Sequence, residues 1–141
     1  MKSIIPIKIL KFDDGGCHMF VNVTFNSKIK GKLIIDTGAT KTVFDINLLN
    51  EIITDIYIPE ELKSAGIEAN MIESKVGKIN KFKIGKLLIK DYNVVLINMQ
   101  NINQLYENIS NLKIWGLLGG DFLSEYNAKI DYKKKLLTIW H

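Results

Sequence analysis

Apolar and polar residues alternate over much of the chain with the two-residue period of strands that bury one face. Phe20 to Phe25 reads Phe-Val-Asn-Val-Thr-Phe, a half-buried strand. The polar stretch Asn26 to Gly31 turns the chain into a second apolar run, Leu33 to Ile35. A short continuous apolar run closed by a Gly turn is the pattern of a buried strand. That run delivers Asp36 into a Thr37-Gly38 turn, and Val43-Phe44 resumes the strand pattern. Upstream, Ile4 to Leu10 is β-type, with Pro6 suited to a sheet edge, and Asp13 to Gly16 is a turn. Downstream, Asp45 is placed to cap a short helix over Ile46 to Ile53, and Pro59 to Glu61 reads as a loop. Residues 64–84 predict a hairpin whose tip falls within Gly66 to Asn70 and whose second arm runs from Met71 to Ile84. Gly85-Lys86 turns into a buried strand, Tyr92 to Ile97. Ile102, Leu105, Ile109 and Leu112 recur with helical spacing between Asn98 and Lys113, so a helix lays one apolar face on the core there. A last short helix starts at Gly120 or Asp121 and runs through Tyr126. A hairpin, Ala128 to Tyr132 and Leu136 to Ile139, closes the chain.

The size of the chain, 141 residues, allows one domain, residues 1–141, with a true core. The net charge is +4, and all 19 basic residues are Lys. Without Arg there is no bidentate clamp for phosphate or carboxylate. The lysines are scattered; the one run, Lys133 to Lys135, reads as a solvated turn between strands rather than a nucleic-acid patch. Cys17 is the only cysteine and His18 and His141 the only histidines, which excludes an intrachain disulfide and gives no zinc site. No apolar run approaches a membrane span of about 18 residues. Lys8 and Lys11 interrupt the N-terminal stretch too early for a signal segment. A soluble, cytoplasmic protein without nucleic-acid or membrane partners is the expectation.

A carboxylate at the end of a buried strand is costly to ionise without partners, and chemistry is one reason to keep it there. The octet Leu33-Ile34-Ile35-Asp36-Thr37-Gly38-Ala39-Thr40 resembles the active-site turn of aspartic proteases, in particular the retropepsin-like (retroviral-type) branch. Asp-Thr-Gly alone is a weak signal. A second block strengthens it: Gly116-Leu117-Leu118-Gly119-Gly120-Asp121-Phe122-Leu123 is similar to the segment that packs against the catalytic turn and leads into a short helix in that family. The resemblance spans about Phe20 to Ile139. It implies a mainly β fold, a closed or partly open barrel with one to three short helices and a flap hairpin, the flap falling on residues 64–84. The connection Asn98 to Lys113 is longer than the family's usual one, and reads as a helix covering the core, lining a pocket or docking a partner.

The resemblance also implies a mechanism. Two carboxylates sharing a proton can serve as base and acid for peptide hydrolysis, with no metal or cofactor. This chain carries one Asp-Thr-Gly. Asp121 lacks the strand-turn setting and belongs to a helix start. The second carboxylate must then be Asp36 of a second copy, in a symmetric homodimer acting on protein or peptide substrates. In this reading Asp36 is catalytic, Thr37 bonds across the two-fold axis, and Gly38 admits a close backbone amide. Leu117, Leu118 and Gly119 support the turn. Ala39, Gly66 and Ile67 touch substrate. Ala39 stands where acid-adapted members have a hydroxyl, so activity nearer neutral pH is expected; Thr40 can still hydrogen-bond locally. The missing Arg departs from many relatives in which it braces the dimer. Leu136 to Trp140 could form the seam, with Trp140 as anchor, or an ordinary intramolecular strand. A catalytically silent protease-fold module for dimerisation or peptide binding is the competing reading. A nucleic-acid binder is disfavoured by the charge pattern.

Overall fold

The computed structural model describes residues 1–49, 53–58 and 75–141. The strands are β1 (Lys2–Pro6), β2 (Lys8–Lys11), β3 (Cys17–Phe25), β4 (Ile29–Ile35), β5 (Val43–Asp45), β6 (Ile53–Tyr57), β7 (Lys75–Ile84), β8 (Leu87–Ile97), β9 (Ile114–Leu118), β10 (Lys129–Asp131) and β11 (Leu136–Trp140). The helices are α1 (Ile46–Leu49), α2 (Gln100–Ser110) and α3 (Gly120–Glu125).

The larger sheet runs β2-β3-β4-β9-β5-β8-β7-β6, and a further pairing of β3 with β7 closes six of its strands into a barrel. The fold is therefore mainly β, as expected. Period-two burial produces its core: Val21, Val23 and Phe25 of β3, Leu33 and Ile35 of β4, and Phe82 and Ile84 of β7 all point inward and are buried. Phe25, Phe44 and Phe82 meet edge-on or tilted at centroid distances of 5.5–6.1 Å. The ring contacts continue through Tyr92 to Phe122 and Tyr126, which ties α3 to the barrel. Each fully buried Phe contributes about 1.5–3 kcal/mol from burial alone. Alternate residues on the opposite faces, Phe20 and Ile34, join Met99, Tyr106, Leu112 and Ile114 in a second apolar cluster beneath α2. The predicted helix over 98–113 is thus observed and lies on the outer face of the barrel.

Three differences from the sequence reading stand out. The apolar stretch Ile4 to Leu10 is two strands in different sheets. β1 pairs with β11, whereas β2 pairs with β3; Pro6 does lie on an edge strand. The helix expected over Ile46 to Ile53 ends sooner, because Ile53 opens β6 and faces Ile79 of β7. Asp45 performs the capping expected of it, accepting the Asn47 N–H at 3.1 Å. The second arm of the predicted 64–84 hairpin is observed from Lys75, where β7 lies between β6 and β8; the tip, Gly66 and Ile67 included, falls outside the described residues. At the chain ends β11 is the middle strand of a three-stranded sheet, β1-β11-β10. The intramolecular reading of Leu136 to Trp140 is the one realised, and a seam along β11 itself has no open edge. No helix among the described residues is long and apolar enough to cross a membrane.

Candidate active site

β9 is inserted between β4, to which it is parallel, and β5, to which it is antiparallel. The chain leaving β4 must therefore loop over the C-terminal end of β9 before it enters β5. Residues 36–42 are that loop, and backbone bonds hold it down. The Asp36 N–H donates to the Leu118 carbonyl at 3.0 Å, the Gly120 N–H to the Ala39 carbonyl at 2.7 Å, and the Asp121 N–H to the Thr40 carbonyl at 3.2 Å. Within the loop, the Ala39 N–H donates to the Asp36 carbonyl at 3.2 Å, and the Gly38 N–H donates to Asp36 Oδ1 at 3.0 Å. The carboxylate is thereby oriented by a backbone amide of its own turn.

A buried polar brace lies under the loop. Asp121 Oδ1 accepts the Thr42 N–H, the Thr42 hydroxyl and the Phe122 N–H, each at 2.8 Å. The Thr42 oxygen accepts the Gly119 N–H at 3.1 Å. Asp121 Oδ1 is thus engaged at the start of α3, in the helix-starting role expected of Asp121. Tyr92 adjoins this brace. Burial, and then the negative charges of Asp121 and Glu125, hold its hydroxyl protonated well above the usual tyrosine range, while the hydrogen bond with Thr42 works the other way. Thr42 and Tyr92 were not among the residues singled out in the sequence; they lie far from Asp121 along the chain, and no local pattern marks them.

The strand before Asp36 is buried as expected, with Leu33, Ile34 and Ile35 all inside. The Asp36 side chain itself is half-buried, and Thr37 and Gly38 are exposed. In a single chain the turn presents its tip outward. Among the described residues, a Cβ on Gly38 would meet only Asp36 Oδ1, at 3.4 Å, so none of them demands glycine there. Gly119 is different: a Cβ would fall 2.6 Å from the Lys41 carbonyl group. Beside the turn opens a cavity of about 470 Å³, lined by Asp36 and Thr37, by Cys17 to Met19 of β3, by Ile34, Ile35 and Leu117, by Tyr132, and by Ile102, Leu105 and Tyr106 of α2.

The sequence profile of the aspartyl protease family matches residues 21–122. The chain belongs to that family. The match takes in the Asp36 turn, β9 and the first residues of α3 beneath it. Among solved structures, a retropepsin-like aspartic protease from Rickettsia conorii aligns at 20% identity with a TM-score of 0.50, over 99% of this chain and 90% of that one. The retroviral protease-like domain of Ddi1 from Leishmania major aligns at 18% identity with a TM-score of 0.54, over 85% and 86% of the two chains. These likenesses establish the retropepsin-like fold. Comparison with curated protein sequences gave no match.

Proposed function

We propose that this aspartyl protease family member is an endopeptidase that works as a homodimer, with one Asp36 from each copy at the site. The observation that carries the proposal is the Asp36 turn: a carboxylate oriented by the Gly38 amide, clamped from below by β9 and α3, and open on its outer side. Thr37 and Gly38 are exposed in one chain, and no described residue of that chain requires glycine at position 38. Both facts are accounted for if a second turn packs against the first across a two-fold axis. Two carboxylates at that distance do not both ionise readily, so the pair holds one proton.

Hydrolysis then follows from acid–base logic. The ionised carboxylate takes a proton from a water as its oxygen attacks the peptide carbonyl carbon. The protonated carboxylic acid gives its proton to the carbonyl oxygen, and a neutral tetrahedral diol forms. Its collapse breaks the C–N bond: the protonated carboxyl gives its proton to the leaving amine nitrogen while a diol hydroxyl gives one to the ionised carboxylate, so the dyad again holds one shared proton. Ala39 offers the carboxylate no hydroxyl, which supports an optimum nearer neutral than strongly acidic pH.

The test is solution mass together with cleavage of an unfolded protein between about pH 4 and 7, comparing the wild type with Asp36→Asn. A dimer is expected whose cleavage rate falls by on the order of 10²–10⁴-fold in the variant, with folding unchanged. A strict monomer, or cleavage that survives the substitution, overturns the shared dyad. A dimer that binds peptide without cutting it supports the silent module instead.

A further inference from the structure

Three lysines that are scattered along the sequence line one cavity in the fold. β9 joins β4 only from the pairing of Lys32 with Ile114 onward, so ahead of Lys32 a gap opens between β4 and the connection that leads into β9. The gap is a cavity of about 600 Å³ lined by Lys30 and Lys32 of β4 and by Lys113 and Trp115. It shares no lining residue with the cavity beside Asp36, and Lys32 stands roughly 13 Å from Asp36 along the strand.

The walls are fastened. A Cβ on Gly31 would fall 2.5, 2.6 and 2.8 Å from Trp115 Cδ1, Cγ and Nε1, so the indole lies directly against the β4 backbone. Phe25 stacks on the same ring at 5.5 Å. Asn103 is buried and ties α2 to the start of β9: its amide donates to the Ile114 carbonyl at 2.9 Å and its Oδ1 accepts the Ile114 N–H at 2.6 Å. Next to that anchor, Lys113 Nζ stands 6.0 Å from the centre of the Trp115 ring, within reach of its π face. Lys32 Nζ donates to Asn22 Oδ1 at 2.6 Å, which leaves two of its three donors for a ligand.

No acidic residue lines the cavity, and none of the three lysines has an ion-pair partner among the described residues. Three ammonium groups around one cavity repel one another, and an anion between them relieves the repulsion. A single phosphate carries about −1.5 to −2 at pH 7, too little to balance three lysines; two linked phosphates suffice. Lysine binds phosphate as a point charge and needs no guanidinium fork. Asn22, Thr24 and Asn111, which also line the cavity, add neutral hydrogen-bonding groups. The concave form and the volume suit a small molecule rather than a protein segment.

We infer that this cavity is an anion site, separate from the Asp36 turn, that takes a di- or triphosphate group, free or carried by a small molecule. The test titrates inorganic triphosphate calorimetrically into the wild type, into Lys30→Gln/Lys113→Gln, and into a control, Lys133→Gln/Lys134→Gln, which removes the same charge from an exposed turn. One triphosphate per chain should bind wild type and control alike. Each lost lysine of the cavity should weaken binding about fivefold or more, so the double variant should bind on the order of 25-fold more weakly, with its melting temperature in the absence of ligand unchanged. Triphosphate should raise the melting temperature of wild type and control more than that of the double variant. In Trp140→Phe, where Trp115 is the remaining tryptophan, triphosphate should change the emission with the same midpoint. ATP that matches or exceeds triphosphate upholds the site with a carried phosphate chain; ATP that binds far more weakly upholds it with a free one. The inference is overturned by a wild type that shows no saturable binding, by an equal loss in the control, or by a hexaglutamate peptide that binds as tightly as triphosphate.

Discussion

At the residue scale the site depends on atoms that never reach substrate. Gly116 sits where a Cβ would fall 2.4 Å from both the Val43 carbonyl oxygen and Phe44 Cδ1, and Gly119 faces the Lys41 carbonyl. Backbone cannot retreat as a flexible side chain can, so Gly116→Ala should destabilise the protein by about 1–3 kcal/mol or more, read from the urea midpoint. Gly119→Ala should displace residues 39–41 as well and cut turnover more than stability predicts. Thr42→Val strands the Gly119 N–H and removes a donor from Asp121, an expected loss of about 1–3 kcal/mol, whereas Thr42→Ser should keep most of it. The Asp36 turn was legible because strand, carboxylate and turn are contiguous. The brace was not, because Thr42 and Asp121 are 79 residues apart and only the passage of the chain around β9 brings them together.

At the scale of elements, period located β3 and α2, and a continuous apolar run located the end of β4. It failed at β6 (Ile53–Tyr57), whose first residue, Ile53, read as the end of a helix. Asp55 has φ 55°, and the register with β7 shifts between Thr54 and Tyr57; a bulge breaks the alternation that would have announced a strand. The helical spacing of α2 predicted a stripe buried on the core, and Leu105 departs from it because the helix overhangs the Asp36 cavity, a matter of docking angle that periodicity does not encode. Docking itself turns on Asn103. Beyond its two bonds to Ile114, its amide lies 3.4 Å from Asp45 Oδ2. Asn103→Ala should cost about 1–3 kcal/mol through the groups left unpaired and should loosen α2 selectively. Hydrogen exchange checks this: the amides of residues 103–107 should lose protection while those of β3 and β8 keep theirs.

At the scale of the whole molecule, the buried aromatic rings give the protein an alkaline limit. Tyr92, Tyr106 and Tyr126 all titrate above the usual tyrosine value, chiefly because burial disfavours the phenolate. Near pH 10 the unfolded chain gives up these protons while the folded chain keeps them. The folded state then binds more protons, so stability is intact below about pH 10 and falls as pH rises from there towards the folded values. Denaturant midpoints measured on either side of pH 10 should show the fall. Tyr92→Phe should flatten its slope, whatever it does to the level at neutral pH through the lost bond to Thr42.

The sheet β1-β11-β10 has a consequence for how the protein is born. Lys2 pairs with Trp140 and Pro6 with Leu136, and Ile5, Leu137 and Ile139 share the main core. A strand made early must wait for one made late. At about 5–20 residues per second, that wait lasts on the order of ten seconds. Until residues 136–140 emerge, the core is unsealed beside Ile5, and a nascent chain of a protein-cutting family passes its synthesis incompletely folded.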